Sequence, residues 1–587
     1  MADPYFVHFE ARRPPKFPPM SKRRTLLWHF LAGCSVASSL YYLQWRWGSS
    51  LNPDALAFSI VVAAAETLIM LGMFLFYYDI WNEGDSQWHP PPVSRKAACL
   101  PDETGAIQVD IFLTTYDETT SFVAPSIEAA QQLQLPPNTK AEIFVLDDRD
   151  RPEMAALAAR FGVRYMSRQD NIGFKAGNLR NGLFHSAGDF VVICDADTRL
   201  FPNFLQRTLG YFSDPEVAWV QTPHWFYDTP LGKHPSHWVK GRTEKLLRFM
   251  PRSWRLGADP YFCDPAVFFD VIQRRRNRNA ASFCCGAGSI HRRDVIFSTA
   301  LSRKATATAQ MSAEMGVQPS AACPPLEPFK FHVSEDLYTS MLLHEDRKAD
   351  WKSVYHPEVL ARMLSPWSAR AWATQRLKYA GGTYDLMLRD NPLFRNGMPW
   401  RKKLHYLATF WSYITVLWLP VLLLSPALSL VTGIAPIEAY STSFFLHFLP
   451  MVIFAELAMA AALKGHSGRN GRVTALATMH IQIKALTQVL QGKRPHFPPT
   501  PKLPRFGEAW RYLHVNLALI TLLLGAAVLG TTLTFLGSGS HSVSLLVVNL
   551  FWLGWNLTLL LQGLGVALWQ PAPPCTSSAR AEDPLAA

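Results

Sequence analysis

The sequence has few cysteines and none of the spacings that cysteine-based sites require. Its 587 residues include eight cysteines, and no two of them form a CxxC pair. This excludes a zinc ribbon or finger and argues against a disulfide framework, which needs a high density of cysteine. Cys284 and Cys285 are neighbours, and a disulfide between adjacent residues is strained. We therefore expect the cysteines to be reduced thiols.

Two glycine-rich nucleotide motifs are also missing. Residues 84–365 contain no GxGxxG and no GxxxxGK[ST] sequence, which excludes a dinucleotide-binding or P-loop site there. Charged residues make up only 17% of the chain, although its net charge is +12. The basic residues lack the interleaved aromatics of a nucleic-acid-binding module, so we expect no nucleic-acid partner.

The sequence instead contains long apolar runs. Hydrophobic residues make up 49% of the chain and the mean hydropathy is +0.03, which is high for a soluble chain of this size. About 20 apolar residues in a helix cross the bilayer core. Six runs of this kind occur, two before and four after a large middle region: 25–42, 55–78, 407–430, 443–463, 510–532 and 543–569. Because a second run follows the first so closely, we do not expect a cleaved signal peptide.

Lysine and arginine predict the orientation of these runs. "ARRPPKFPPMSKRR" precedes the first run and "KGHSGRNGR" follows the fourth, whereas "TGIAPIEAYST" and "GSGSHS" carry no basic residue. The positive-inside rule therefore makes both ends, the middle region and the loop after the fourth run cytosolic. The predicted organisation is a basic cytosolic segment (1–24), a transmembrane hairpin (25–83), a cytosolic α/β domain (84–365), interfacial helices (366–403), two spans (404–464), a cytosolic loop (465–508), two more spans (509–570) and a disordered tail (571–587).

The middle region alternates between strand and helix patterns. The short apolar runs "VDIFLTTYDE", "AEIFVLDDRD", "GDFVVICDAD" and "EVAWVQTPHW" are separated by stretches of helical period such as "PEMAALAARFG". This alternation predicts a mostly parallel, Rossmann-like sheet covered by helices on both faces. In such sheets the ligand binds at the carboxyl ends of the strands.

Two carboxylates one residue apart end the third of these strands. Asp195 and Asp197 point the same way if the strand continues through them, so their charges repel. A divalent cation between the carboxylates and a diphosphate neutralises both, and hard oxygen ligands suit Mg²⁺ or Mn²⁺. A simpler alternative is a helix cap beside a solvated carboxylate. The acidic ends of the two neighbouring strands, at Glu118 and at Asp147 and Asp148, favour the metal site.

These segments resemble, in order, the motifs of processive family-2 glycosyltransferases of the cellulose synthase type. "TTYDE", "VLDDRD", "DNIGFKAGN" and "CDAD" are similar to the TYNE-like, DDG, KAGN and DxD motifs. "VQTPHWFY", "FCCGAG" and "SED" are similar to the QTPHFF-like, FxCG and TED motifs. The resemblance runs from the first apolar run to about residue 510. It implies a membrane enzyme whose cytosolic GT-A domain lies between transmembrane helices and polymerises a sugar from its UDP donor.

The resemblance also implies roles for individual residues. The implied nucleotide-sugar contacts are Thr115, Tyr116, Glu118, Asp147, Asp148, Lys175 and Asp195. Asp195 and Asp197 are implied to hold the metal, and Lys175 to oppose the charge that grows on the leaving UDP. Asp336 of "SED", with Glu335 beside it, is the implied general base that takes the proton of the acceptor hydroxyl and gives inversion.

One acceptor motif departs from the family pattern. The implied acceptor contacts are His224, Cys285, Gly286, Gln375, Lys378 and Tyr379. "QRLKY" stands where the family has QxxRW, and lysine keeps the charge of arginine but loses its bidentate fork. Tyrosine offers a smaller ring than tryptophan, so the acceptor geometry and the linkage stay open. "FPPTPK", with Phe497, Thr500 and Lys502, is similar to the family's gating loop.

The sequence therefore predicts a bacterial inner-membrane synthase that makes a β-1,4-glucan from UDP-glucose and exports it. Membrane lipid and the growing glucan are expected partners, with a possible periplasmic subunit because the outer loops are short. No PilZ domain follows the last run, so we expect no cyclic-di-GMP control within this chain. The alternatives are a β-1,3 or mixed-linkage (curdlan-type) synthase, a chitin or hyaluronan-type synthase, a non-processive lipid-sugar transferase and a non-catalytic scaffold subunit. The intact Asp197 and Asp336 argue against a scaffold.

Overall fold

The structure is a computed structural model and describes residues 5–234, 236, 241–248, 256–315, 325–346, 349–366, 368–437, 442–493 and 509–568. Its strands are β1 (Ile107–Thr115), β2 (Thr139–Asp147), β3 (Arg164–Ser167), β4 (Phe190–Asp195), β5 (Arg199–Leu200), β6 (Val217–Gln221), β7 (Leu231–Lys233), β8 (Leu256–Ala258), β9 (Ser289–Arg292), β10 (Lys352–Tyr355) and β11 (Ala361–Arg362).

The α-helices are α1 (Lys22–Gly48), α2 (Leu56–Asp79), α3 (Thr120–Gln131), α4 (Pro152–Phe161), α5 (Phe174–Phe184), α6 (Phe204–Thr208), α7 (Arg242–Leu247), α8 (Arg274–Arg276), α9 (Arg293–Met315), α10 (Glu335–His344), α11 (Ala369–Arg389), α12 (Trp400–Ile414), α13 (Leu419–Thr432), α14 (Thr442–Ala462), α15 (Arg469–Ala477), α16 (Met479–Leu490), α17 (Trp510–Phe535), α18 (Val543–Gly563) and α19 (Gly565–Leu568).

A seven-stranded sheet forms the centre of the middle region. Its order is β10-β6-β9-β4-β1-β2-β3, and every pair is parallel except those that β9 makes with β4 and β6. The four strands expected from the sequence are present as β1, β2, β4 and β6. The prediction of a mostly parallel α/β sheet is therefore confirmed. The strand β9 is antiparallel, which the sequence pattern did not predict.

Both faces of the central strands β1 and β4 are buried, because their alternate side chains enter different cores. On β1, Ile111 and Leu113 pack with Val123 and Ile127 of α3. Phe112, between them in sequence, packs in a second core that also contains residues of α5. Helices on both faces explain why the strands read as continuous apolar runs.

Six stretches of the described residues are long and apolar enough to cross a membrane. They are Lys22–Gly48, Pro53–Asp79, Trp400–Thr432, Thr442–Ala462, Trp510–Phe535 and Val543–Gly563. Two precede the sheet domain and four follow it, as predicted. The third is interrupted by a 3₁₀ turn at Thr415–Leu417, where α12 gives way to α13. The six described cysteines are free, as expected.

An arginine-rich segment joins the sheet domain to the ends of two apolar helices, α2 and α14. This arginine junction, residues 274–278, places Arg276 Nη2 2.7 Å from Asp79 Oδ2 at the end of α2. Arg275 donates to the carbonyl of Ala462 at the end of α14, over 2.7 Å. His405 of α12 also contacts Asp79, with 2.6 Å between Nδ1 and Oδ1. Because both side chains of the Arg276–Asp79 pair are under 5% exposed, this contact is well shielded from water.

Candidate active site

Three acidic strand ends meet at one edge of the sheet. Thr115 at the end of β1 is in register with Asp147 of β2, and Thr114 is in register with Asp195 of β4. The strands are parallel, so their carboxyl ends lie side by side. The convergence of these strand ends, expected from the sequence, is confirmed by this register.

A cavity of about 530 Å³ opens beside these strand ends. Its lining residues are Tyr116, Asp148, Arg149, Gln169, Asn171, Ile172, Gly173 and Phe174. Arg168 holds one wall, because it pairs with Asp148 and donates to the carbonyls of Ile172 (2.7 Å) and Phe174 (2.8 Å). Arg168 was not among the predicted site residues, because no motif identifies an arginine whose partner lies 20 residues away.

Gly173 is a second site residue that was not predicted from the sequence. It precedes α5 with φ +79°, a backbone conformation that favours glycine. A Cβ at this position would lie 2.2 Å from the ring of Phe331. The glycine thus lets the chain turn into α5 while the Phe331 ring covers it. Its place directly before "FKAGN" was the available signal.

Two of the predicted nucleotide-binding residues, Glu118 and Asp147, form hydrogen bonds with neighbouring protein groups. Glu118 Oε2 accepts hydrogen bonds from Thr115 Oγ1 (3.0 Å) and from the backbone amide of Tyr116 (2.9 Å). Asp147 is fully buried, and its carboxylate accepts from Arg151 and from the Tyr165 hydroxyl, which is 3.0 Å away. These carboxylates hold the loop that carries Tyr116. A direct contact of either with a nucleotide stays a prediction.

Lys175 stands between the strand end and the "SED" motif. Its Nζ lies 2.5 Å from Asp195 Oδ1 and 3.8 Å from Glu335 Oε1. Burial by itself lowers the pKa of an amine, but Asp195, Glu335 and Asp336 outweigh it and raise the pKa of Lys175 above its ordinary value. Lys175 is therefore a permanent cation among three carboxylates. The side chain of Asp195 is 46% exposed, so it faces an open cleft.

Asp336 lies in the first turn of α10, where the unpaired amides of a helix favour negative charge. Its Oδ1 accepts from the backbone amide of Leu337 over 2.7 Å. Burial and the neighbouring Glu335 raise the pKa of Asp336 to about 6, against the opposing charges of Lys175 and Lys378. Lys378 of α11, predicted as an acceptor contact, thus acts electrostatically on Asp336.

The acceptor motif "FCCGAG" forms a tight loop against the same cluster. At Gly286, φ is +81°, and a Cβ there would lie 3.3 Å from Lys175 Nζ and 3.6 Å from Asp336 Oδ2. Gln221 and Gln273, both fully buried, hold the neighbouring Cys285. Cys285 donates its amide to Gln221 Oε1 over 2.8 Å, and Gln273 Nε2 lies 3.0 Å from its sulfur.

Neither glutamine was among the predicted site residues. Gln221 lies in "VQTPHW", where the resemblance implied an acceptor contact only for His224. Gln273 ends a π-helix, Val267–Gln273, directly before the arginine junction. A single glutamine before a run of arginines carries no sequence signal of its own.

The remaining predicted acceptor residues lie on two elements. His224 Nε2 is 2.8 Å from the carbonyl of Ala287, and burial lowers its pKa, so the ring is neutral with a hydrogen on this nitrogen. On α11, Gln375 lies one turn before both Lys378 and Tyr379, which follow it by three and four residues. Tyr379 is 45% exposed, which leaves its ring open to a ligand. Phe497, Thr500 and Lys502 of the predicted gating loop lie outside the described residues.

Asp197 is more deeply buried than Asp195. It is 4% exposed, and its Oδ2 accepts from the backbone amide of Leu364 over 3.2 Å. Within the described part of the chain, no group of three or more His, Cys, Asp or Glu side chains could hold a metal ion. The chain thus offers two carboxylates at this position, not a complete protein cage.

Comparisons with known proteins find similar glycosyltransferases. Residues 110–296 match the family described as "Glycosyl transferase family 2". "Cellulose synthase 1" of Komagataeibacter xylinus is 29% identical over 433 residues, which cover 73% of this chain and 24% of that protein. "Cellulose synthase catalytic subunit [UDP-forming]" of Pseudomonas fluorescens (strain SBW25) is 25% identical over 548 residues, 91% of this chain and 66% of that protein. The matched region thus spans from about a quarter to about two thirds of these relatives.

Among solved structures, the mannosyltransferase PcManGT from Pyrobaculum calidifontis in complex with GDP-Man and Mn²⁺ is similar at 16% sequence identity and a TM-score of 0.46. The match covers 74% of this chain and 100% of that one.

Proposed function

The chain is a cellulose synthase-like protein with a family-2 glycosyltransferase domain, and from this premise we propose that it is a processive, inverting synthase. It polymerises glucose from UDP-glucose into a β-1,4-glucan and passes the polymer through its apolar helices. One observation carries the proposal. The amino group of Lys175 lies 2.5 Å from Asp195 and 3.8 Å from Glu335, beside Asp336 and the acceptor loop. Donor, base and acceptor residues therefore converge on one point.

Each part of this point has a task in the transfer. The cavity beside Tyr116 takes the uridine, and Lys175 faces the diphosphate. Asp336 takes the proton of the acceptor hydroxyl while the acceptor oxygen bonds to the anomeric carbon. The bond from that carbon to the diphosphate breaks on the opposite face, which inverts the configuration. The fixed charge of Lys175 favours the departing UDP because it needs no reorganisation during the reaction.

A divalent cation fits the carboxylates that the chain provides. Mg²⁺ is commonly bound by one or two carboxylates together with substrate phosphates and water. Asp195 and Asp197 are two such carboxylates, one exposed to the cleft and one fixed by Leu364. When bound, Mg²⁺ or Mn²⁺ supplies a Lewis acid for the leaving diphosphate. Asp197 would hold it, and Asp195 would share its carboxylate between the metal and Lys175.

The proposed location is a bacterial inner membrane with the sheet domain in the cytoplasm. The basic residues before the first apolar helix and in the loop after the fourth support this orientation. The growing glucan and membrane lipid are then direct partners. The outer connectors, 433–441 and 537–542, are too short to guide a polymer, which supports a partner subunit on the outer face.

The experiment that tests the proposal is incorporation of radiolabelled UDP-glucose by the purified protein in lipid nanodiscs with Mg²⁺. We expect insoluble product that a β-1,4-specific glucanase dissolves. Dissolution by a β-1,3-specific glucanase would mean that the product is a β-1,3-glucan. The linkage is tested because Lys378 and Tyr379 stand where the family has Arg and Trp. Incorporation of sugar from UDP-N-acetylglucosamine alone would mean that N-acetylglucosamine, not glucose, is the sugar transferred. A protein that binds UDP but incorporates neither sugar, alone or with an outer-face partner, would contradict the proposal.

The pH profile of the transfer is a further prediction. Only ionised Asp336 accepts a proton, and its pKa is raised to about 6. The kcat/KM for transfer should therefore rise with pH through about 6 and level off above it, because kcat/KM reports groups of the free enzyme. The measurement is initial rate against pH from 5 to 8 at fixed ionic strength. A rate that is constant over this range, with stable protein, would exclude Asp336 as the base.

A further inference from the structure

Two arginines face each other beside the proposed metal-binding carboxylate. The strands β5 and β11 form an antiparallel two-stranded ribbon in which Arg199 is the direct partner of Arg362. Like charges in directly opposite positions destabilise such a pair. The ribbon matters for the site, because Asp197 precedes Arg199 by two residues and Leu364 follows Arg362 by two. Leu364 is the residue whose amide holds Asp197 Oδ2.

The anion that separates these arginines comes from the segment before the first apolar helix. Glu10 pairs with Arg199 through Oε1 and with Arg362 through Oε2, the latter at 2.5 Å. The Tyr227 hydroxyl lies 3.3 Å from the same Oε1, and Arg362 also donates to the Glu10 carbonyl over 3.2 Å. Arg199 is only 5% exposed, so its charge is compensated by Glu10 more than by water.

Two further side chains fix this segment on the domain. Phe6 is 1% exposed, and its ring lies 5.3 Å from that of Phe122 and 4.6 Å from the Arg199 guanidinium. Arg12 Nη1 donates to the carbonyls of Tyr227 and Thr229, each over 2.7 Å. Residues 5–12, here named the strap, are thus anchored at both ends with Glu10 between the anchors.

We propose that the strap holds the metal-binding carboxylate in place, with Glu10 as a positioning residue for Asp197. Glu10 neutralises the facing arginines, the closed ribbon sets the position of Leu364, and the Leu364 amide orients the carboxylate. Glu10 contacts Arg199, Arg362 and Tyr227, so it would act on Asp197 through the ribbon. The inference rests on the proposed function, since it assumes that Asp197 holds a metal beside a diphosphate.

The test compares Glu10→Gln with the wild-type chain and with Arg13→Gln, an exposed residue just beyond the strap. The glutamine keeps the volume of Glu10 and removes its charge. Partners behind metal ligands typically change affinity by about 10- to 100-fold, and Glu10 acts one step further out. We therefore expect UDP affinity in the presence of Mg²⁺ to fall about three- to tenfold, without a matching loss in its absence. Arg13→Gln should bind as the wild-type chain does.

Hydrogen exchange of the peptide that covers residues 359–366 supplies a readout that needs neither nucleotide nor turnover. Faster exchange of this peptide in Glu10→Gln supports the proposal. So does a partial return of the exchange rate to the wild-type value when Arg362→Gln is added to Glu10→Gln, because it removes the surplus cation. Unchanged exchange together with unchanged Mg²⁺-dependent affinity would overturn it. So would a lower melting temperature alone, because that marks a merely structural contact. If the wild-type chain fails to bind UDP, the proposed function fails, and hydrogen exchange still decides on the strap.

Discussion

Replacing Asp336 by asparagine is expected to lower the kcat of sugar transfer by about 10²- to 10⁴-fold, the usual contribution of a positioned general base. Asparagine keeps the size of the side chain and can still accept the Leu337 amide. It cannot take a proton from the acceptor. The affinity for UDP should not weaken, because removing one carboxylate near Lys175 leaves the amine more available to the diphosphate. Incorporation of radiolabel and equilibrium binding of UDP measure the two effects separately.

The matched control is Glu216→Gln, a carboxylate to amide change on the exposed surface of the same domain. It should retain wild-type kcat. Equal losses in both variants would point to folding, and an active Asp336→Asn would remove Asp336 from the reaction. The acid limb of the pH profile should also vanish in Asp336→Asn, a sign that a folding defect does not produce.

Replacing Lys175 by glutamine is expected to lower kcat/KM by about 10²- to 10³-fold, as the loss of one preorganised donor to a developing charge typically does. Three carboxylates then share the site without their cation. Lys175 lowers the pKa of Asp336, so its loss raises that pKa further. The acid limb of the pH profile should therefore move to higher pH, which sugar incorporation measured between pH 5 and 9 can detect.

Lys140→Gln is the control for this variant, because Lys140 lies exposed on β2 of the same sheet. It should change neither the rate nor the pH profile. An unshifted profile in Lys175→Gln would mean that Lys175 and Asp336 do not interact, whatever happens to the rate. Retention of wild-type kcat/KM would remove Lys175 from the stabilisation of the leaving group.

Much of the sheet could be predicted, because β1 and β4 are buried along nearly their whole length, β2 and β4 end in aspartates, and acidic residues follow β1 within three positions. A continuous apolar run predicts a buried strand, and the acidic residues that follow it predict a polar strand end. The strands β3, β9 and β10 have only four residues each. Four residues contain too few alternations to establish a period of two, and nothing local determines that β9 runs antiparallel. Its direction depends on the long connection that precedes it.

The site was predictable in its members and less so in their contacts. Motif order identified Lys175 and Asp336, but the approach of Lys175 to Glu335 depends on how α10 packs against the sheet edge. A carboxylate at a strand end can face a ligand or a neighbour, and the sequence does not distinguish these cases. Asp147 is bound by Arg151 and Tyr165. The partners of Asp148 and Asp195, Arg168 and Lys175, each lie 20 residues away in sequence.

The segment before the first apolar helix shows the same limit. Its many basic residues predicted only a cytosolic location, by their effect on topology. The structure adds that Phe6 and Glu10 pack on the sheet domain. An acidic residue next to aromatic residues, in a stretch otherwise rich in lysine, arginine and proline, was the signal available for this contact.

The arginine junction limits which part of the molecule could move in the proposed polymerisation. Removing one partner of a buried ion pair such as Arg276–Asp79 typically costs about 3–5 kcal/mol, so the sheet domain is tethered rigidly to α2. Gln273, next to the junction, also binds the acceptor loop at Cys285. In the proposed polymerisation the catalyst is therefore stationary and the glucan travels past it. Any force that the moving glucan exerts on the acceptor loop would then reach α2 through Gln273 and the Arg276–Asp79 pair.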